Sequence, residues 1–362
     1  MVDDYRVRLP ARDFTVVNGA EKLGEELHHV GQLMGDAMRK RFLMLAAALA
    51  LLLGTAAAVA GAAAPKAAAA TTATTATTPS ASQPCGAANP HPYTHVIWIW
   101  MENQSYDSII GSSQAPYINS VADECGLATN YHNITHPSLP EYMAATSGLG
   151  YPDLTPFLPD CNPTGTCISA AKSIFAQGET WKSYDESMPS NCYRANSGEY
   201  AVRHNPAVYY TTLSSCATND VPYTQLATDL AGNTLPAFSF ITPNLIDDMH
   251  DGTVADGDNW LKANLPTILN SPEYKDGSTA VFITWDEGEG GSYASGEQCA
   301  TNTTDVSCHV STLVISPSTP QGTKSGLLFN HYSLLATAEQ LLHLPRLGLA
   351  ASASTMSGAF KL

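Results

Sequence analysis

Basic side chains are scarce in this chain. It has 17 Lys and Arg against 33 Asp and Glu, a formal net charge of −16. Residues 1–60 carry equal numbers of each sign, so the whole acidic excess falls on the remainder. That sign excludes nucleic acid and anionic membrane as electrostatic partners. A small anionic substrate remains compatible, because a bound cation and local histidines can reverse the field inside one pocket. Several chemical signatures are also missing. No C-x-x-C pair occurs, which counts against a zinc site. No serine sits in G-x-S-x-G, which counts against a lipase or esterase elbow. There is no Walker loop, no G-x-G-x-x-G and no internal repeat. An apolar run of the about 20 residues needed to cross a bilayer is lacking too, unless the Ala-rich continuation of Phe42–Leu53 extends it.

The first 84 residues are better read as processing signals and linker than as fold. Met38-Arg39-Lys40-Arg41, the apolar stretch Phe42–Leu53 and the small-residue site Ala58-Val59-Ala60 form the pattern of a secretory signal peptide over residues 38–60. Residues 1–37 are then an upstream extension, and Met38 the expected start of a secreted protein. The alternative is a signal anchor that leaves the domain outside the membrane; after cleavage no stable membrane insertion is expected. Residues 61–84 are rich in Ala, Thr, Pro and Ser and read as a linker, and residues 85–362 as the folded domain. All eight cysteines fall at or after Cys85, an even number that predicts disulfides in an exported chain. Sequence leaves the connectivity open. Pairing of neighbours is the expectation, with Cys161–Cys167 and Cys299–Cys308 as short staples.

What is present are three apolar runs that end on polar, metal-type residues. His95–Met101 runs into Glu102-Asn103. Leu235–Ile241 leads to Asn244, Asp247, Asp248 and His250. Thr279–Trp285 runs into Asp286-Glu287-Gly288. β-Branched and aromatic runs of this length read as buried strands. Val310–Ser316 is a fourth, and Thr180–Tyr184 a further candidate. Helices are expected over 115–122, 139–147, 168–177, 223–230, 258–269 and 331–344. Residues 149–167 read as a loop, and 186–220 as a stapled cap. Alternating strands and helices predict an α/β fold: a doubly wound, mostly parallel sheet with helices on both faces. Ligands in such sheets sit beyond the carboxyl ends of the strands, and carboxylates gathered there need a cation.

Each candidate residue has a plainer reading beside it. Glu102-Asn103 are two hard oxygen ligands, or an ordinary turn. Ser138, with Glu141 three residues on, is a capping box. The same hydroxyl at a helix N-terminus also suits phosphate chemistry. The loop 244–251 is a ligand loop or a solvated acidic one. His204 is a lone loop histidine, and His309 and His331 read as capping or core groups.

H-V-I-W-I-W-M-E-N-Q-S-Y-D (His95–Asp107), A-P-Y-I-N-S (Ala115–Ser120), T-N-Y-H-N-I-T-H-P-S-L-P-E-Y (Thr129–Tyr142), A-T-S-G (Ala145–Gly148), R-H-N-P-A-V-Y-Y (Arg203–Tyr210), P-N-L-I-D-D-M-H-D-G (Pro243–Gly252) and W-D-E-G (Trp285–Gly288) resemble, in order, the bacterial phosphoesterase family of acid phosphatases and phospholipases C. That family belongs to the alkaline-phosphatase-like superfamily. The resemblance implies one divalent metal ion held by Glu102, Asn103, Asp286 and Glu287. It implies Ser138 as nucleophile, followed by Leu139 and Pro140 as in the superfamily. His136 and Asn103 would meet the phosphoryl group, and His250 and His204 would move protons. Some relatives have Asp-Asp or Asp-His where this chain has Asp286-Glu287, and Asn244 replaces an aspartate of two-metal relatives. The implied activity is hydrolysis of phosphomonoesters through a phosphoserine. The alternatives are phospholipase C-type cleavage of phosphodiesters and a non-catalytic binding protein of the same fold. A sulfatase-like hydrolase is disfavoured, because Glu141-Tyr142 rather than an Arg context follows Ser138-Leu139-Pro140.

Overall fold

The computed structural model describes residues 78–87, 92–291 and 294–362. The expected extension, the signal peptide and the linker as far as residue 77 lie outside the described residues. Pro84 and Cys85 are already buried. Tyr274 donates its hydroxyl to Pro84 O at 2.7 Å, and Cys85 is bonded to Cys125. The other disulfides are Cys161–Cys167, Cys192–Cys216 and Cys299–Cys308. Neighbour pairing therefore holds throughout, and every thiol is consumed.

Among the described residues nine strands form one sheet. They are β1 (His95–Met101), β2 (Gly126–His132), β3 (Trp181–Asp185), β4 (Asp220–Pro222), β5 (Phe238–Thr242), β6 (Thr279–Trp285), β7 (His309–Ile315), β8 (Thr323–Ser325) and β9 (Phe329–Asn330). The order is β4-β3-β5-β1-β6-β7-β2-β8, with β9 also on β2. All pairs are parallel except the two that β7 makes with β6 and β2. β1 lies between β5 and β6, so three of the apolar runs seen in the sequence are adjacent and point the same way.

Strand alternation divides the core between two faces. On one face Trp98 and Trp100 pack with Phe238 and Phe240. Trp100 also meets Tyr142 of helix Ser138–Ser147 and His331 of helix His331–Leu341. On the other face Met101 reaches helix Val254–Leu269. A Cβ on Gly257 of that helix would lie 2.9 Å from the Met101 side chain and 2.4 Å from Met249, so the helix packs close against both methionines. The sheet is thus covered on both sides, as the α/β reading requires.

Three elements differ from expectation. β2, with the mixed sequence G-L-A-T-N-Y-H, carries no apolar run, yet it is a strand paired on both edges, between β7 and β8. The segment 168–177 forms one short turn, Ile174–Ala176, rather than a helix. Ser169 instead bridges backbone to Tyr209 and Thr211, a tertiary pairing that outweighs the helical pattern. Helix Val254–Leu269 starts a turn earlier than expected, because Thr253 and Asp256 form a capping box.

Candidate active site at the carboxyl edge of the sheet

The β1–β6 register pairs Met101 with Trp285, which brings the residues following each strand together. Asp286 N donates to Met101 O at 2.9 Å, and Asn103 N donates to Asp286 Oδ1 at 3.0 Å. From the β5 side, Asp248 O accepts Glu102 N–H at 2.8 Å. Asn103 turns the chain with φ 54°, a left-handed conformation that asparagine tolerates better than most residues. Gly288 follows the acidic pair because a Cβ there would sit 2.5 Å from Ser105 Oγ.

Helix Ser138–Ser147 delivers the hydroxyl. Its N-cap is Pro137, so Ser138 is the first helical residue and the capping-box reading fails. Ser138 Oγ is instead within 3.0 Å of Glu102 Oε2 and 3.4 Å of Glu287 Oε1. One turn on, where i and i+4 share a face, Tyr142 donates its hydroxyl to Glu102 Oε1. Glu141 turns backward and accepts Ile134 N–H at 2.9 Å and Thr135 N–H. The helix terminus does not present all its N–H groups outward, since Leu139 N donates to Asp160 Oδ1 at 2.9 Å.

The histidines take different places. His136 is fully buried. Its Nδ1 lies 2.6 Å from Glu287 Oε2, and its Nε2 is 3.2 Å from Ser307 Oγ and 3.4 Å from Cys299 Sγ. Burial pulls its pKa down to about 4, with Asp305 opposing. His204 contacts Asp248 Oδ2 through Nδ1 at 3.1 Å, and its Nε2 is 3.4 Å from Glu102 Oε2. Burial, then Arg203 and His250, push its pKa well below the usual imidazole range. His250 Nδ1 meets Asp251 Oδ1 at 2.7 Å, and Arg203 Nη2 lies 2.9 Å from His250 Nε2. A guanidinium can only donate, so that nitrogen of His250 accepts.

The cluster is rich in buried acid. Burial, then Asp286 and Asp248, raise the Glu102 carboxyl well above its usual range. Burial also raises Asp248 and Asp286, the latter opposed by hydrogen bonds from Glu102, Asn103 N and Ser138. Asp286 Oδ2, Asn103 Oδ1 and His204 Nε2 are buried without a hydrogen-bond partner. Buried oxygens left without a partner in an acidic cluster, as Asp286 Oδ2 and Asn103 Oδ1 are, fit a divalent cation. Glu102, His204 and His250 also place ligand atoms within 4.8 Å of one another, but Arg203 and Asp251 engage both nitrogens of His250. In two further such groups the cysteines are spent in disulfides.

Of the residues singled out in the sequence, Glu102, Asn103, Ser138, Asp286, Glu287 and His204 meet around one point, with His136 behind Glu287 and His250 beyond His204. Asp248 was named only as one of several acids in the loop 244–251, and Tyr142, Arg203 and Asp160 were given no role. Tyr142 had a signal in its i+4 spacing from Ser138; Asp160 had none, since it reaches Leu139 from a separate loop.

The class that such a fold and donor set define is a phosphoric ester hydrolase. Residues 112–345 match the Phosphoesterase family, and the chain belongs to that family. A phosphatidylinositol-3-phosphatase of Mycobacterium tuberculosis is 31% identical, over 72% of this chain and 81% of that protein. A phosphate-repressible acid phosphatase of Penicillium chrysogenum is 28% identical, over 71% and 60%. An acid phosphatase of Aspergillus fumigatus is 25% identical, over 71% and 56%. The chain thus spans little more than half the length of these two fungal relatives.

Proposed function

We propose that this chain is a secreted, metal-dependent phosphatase that hydrolyses small phosphomonoesters through a phosphoserine on Ser138. The observation that carries the reading is the Ser138 hydroxyl, 3.0 Å from Glu102 Oε2 and 3.4 Å from Glu287 Oε1 in the first turn of its helix. Glu102, Asn103, Asp286 and Glu287 would hold one divalent cation. When bound, the cation neutralises these carboxylates and acidifies the nearby hydroxyl. The Ser138 proton has Glu102 Oε2 as its nearest acceptor, and His204 Nε2 is next in line, 3.4 Å from the same oxygen. Ser138 Oγ attacks phosphorus, the ester P–O bond breaks, and the departing alcohol takes its proton from His204. Water then opens the phosphoserine, with His204 as base.

His204 is preferred to His250 for this role because Asp248 accepts its Nδ1–H and leaves Nε2 facing the site. Both nitrogens of His250 are occupied by Asp251 and Arg203. His136 is assigned to holding Glu287 rather than to phosphate, since protein groups engage both its nitrogens. Asn103 remains the candidate amide for a phosphoryl oxygen. Four disulfides support export to an oxidising compartment. No helix among the described residues is long and apolar enough to cross a membrane.

Metal analysis of purified protein, then chelation and add-back during turnover of p-nitrophenyl phosphate, tests the reading. Activity that survives complete chelation would reject it. Faster turnover of p-nitrophenylphosphorylcholine would move the assignment to a diesterase.

A further inference from the structure

One cation next to this site has no part in the steps above. Arg203 immediately precedes His204 in the turn Val202–His204. Its Nη2 donates to His250 Nε2 at 2.9 Å, and its Nε lies 3.6 Å from Asp160 Oδ2. The other oxygen of Asp160 accepts the N–H of Leu139, the residue after Ser138. Arg203 and Asp160 are therefore tied to the first turn of the Ser138 helix without touching the acidic cluster. Beside them lies a cleft of about 120 Å³, lined by Asp160, Cys161, Asn162, Asn196, Val202 and Arg203. Cys161–Cys167 closes the loop on one side, and Asn196 Oδ1 accepts Val202 N–H at 2.9 Å on the other.

We propose that this cleft is the leaving-group subsite, and that the substrates are phosphomonoesters of polyhydroxylated alcohols, such as sugar phosphates. The inference rests on the phosphomonoesterase reading and gives it a substrate class. The argument is one of donors and acceptors. Arg203 offers donors, Asp160 an acceptor, and the Asn162 carboxamide one of each; Asn196 keeps its NH₂ after its oxygen is used. A hydroxyl both gives and accepts, so vicinal hydroxyls can satisfy such a mixed wall. The charges of Arg203 and Asp160 offset each other, so a second phosphate gains little there. An alkyl chain or aromatic ring would strip water from both charges and return nothing. The Asp160–Leu139 bond fixes the cleft relative to the first turn of the Ser138 helix, so hydroxyls bound there would hold the substrate in register with that turn.

The test compares glucose 6-phosphate with n-hexyl phosphate, both primary alkyl monoesters, on the full chain loaded with the cation that supports turnover of p-nitrophenyl phosphate. A kcat/KM preference of ~10-fold or more for the sugar phosphate is expected, well short of the ~10⁴-fold of a buried hydroxyl-binding site because Asn162 and Asn196 are exposed. Asn162→Ala and Arg203→Gln should each shrink that ratio several-fold, and Arg203→Lys should restore part of it. Because Asn162 is exposed, its variant keeps the test sound if the Arg203 variants misfold. Turnover of p-nitrophenyl phosphate with no sugar preference, or a ratio unmoved by Asn162→Ala, would overturn the subsite while leaving the phosphatase reading intact. No turnover of any monoester with any divalent cation would overturn both.

Discussion

At the scale of single residues the proposed mechanism turns on one hydroxyl and one imidazole. Ser138→Ala should lower kcat by ~10³-fold or more, as expected when a nucleophile acts as a unit with its neighbours. Steady-state turnover of p-nitrophenyl phosphate measures it, and near-native rates would remove Ser138 from the mechanism. Asp248→Asn is expected to lower kcat by ~10²-fold or more, because the carboxylate that fixes the His204 Nδ1–H is lost. Metal content should stay unchanged in that variant, which separates proton transfer from cation loss. Glu102, Asn103, Asp286 and Glu287 were legible in the sequence because each pair directly follows an apolar strand, where position along the chain fixes position in space. Asp248 stood in a loop with three other ionisable residues, and nothing local marked it as the partner of His204, whose ring lies 44 residues away in sequence. Asp160 was illegible for the same reason, since its partner Leu139 belongs to a different element.

At the scale of elements, the helix that starts at Ser138 is held in place by a backward contact. Glu141 accepts N–H groups from Ile134 and Thr135, and His331 Nε2 lies 3.5 Å from its other oxygen. His331 Nε2 is also 2.7 Å from Asp286 O, so one ring spans the serine helix and the acidic turn after β6. Glu141→Ala would leave two buried N–H groups unpaired, at about 1–3 kcal/mol each. A thermal melt should show a clear loss of stability, and a melting temperature equal to wild type would refute the tether. Elements with strong periodicity were readable: β1, β5, β6 and β7 follow from runs of branched and aromatic residues. β2 was not readable, because its stability comes from pairing with β7, β8 and β9 rather than from its own composition. The 168–177 segment failed in the opposite sense, since its pattern promised a helix and backbone contacts with 209–211 prevailed.

At the scale of the whole molecule, buried titratable groups set the response to pH. Burial raises Glu339 to about 7 and Asp220 to about 6, both above their unfolded values. Between the unfolded and folded pKa values the native state binds more protons at these two acids, so their contribution to stability falls as pH rises from about 4 through about 7. Buried histidines oppose them, since burial lowers His132, His136 and His331 to about 4 and their contribution rises over the same range. Glu339→Gln, remote from the acidic cluster, isolates one acid: compared with wild type, the metal-free variant should gain melting temperature at pH 7.5 relative to pH 4.5, and an unchanged difference would show that Glu339 carries none of it. The disulfide Cys299–Cys308 brings Cys299 Sγ within 3.4 Å of His136 Nε2, directly behind Glu287. Reducing that bond would free Cys299 to move off the imidazole, and the ring that holds Glu287 would lose one of its neighbours.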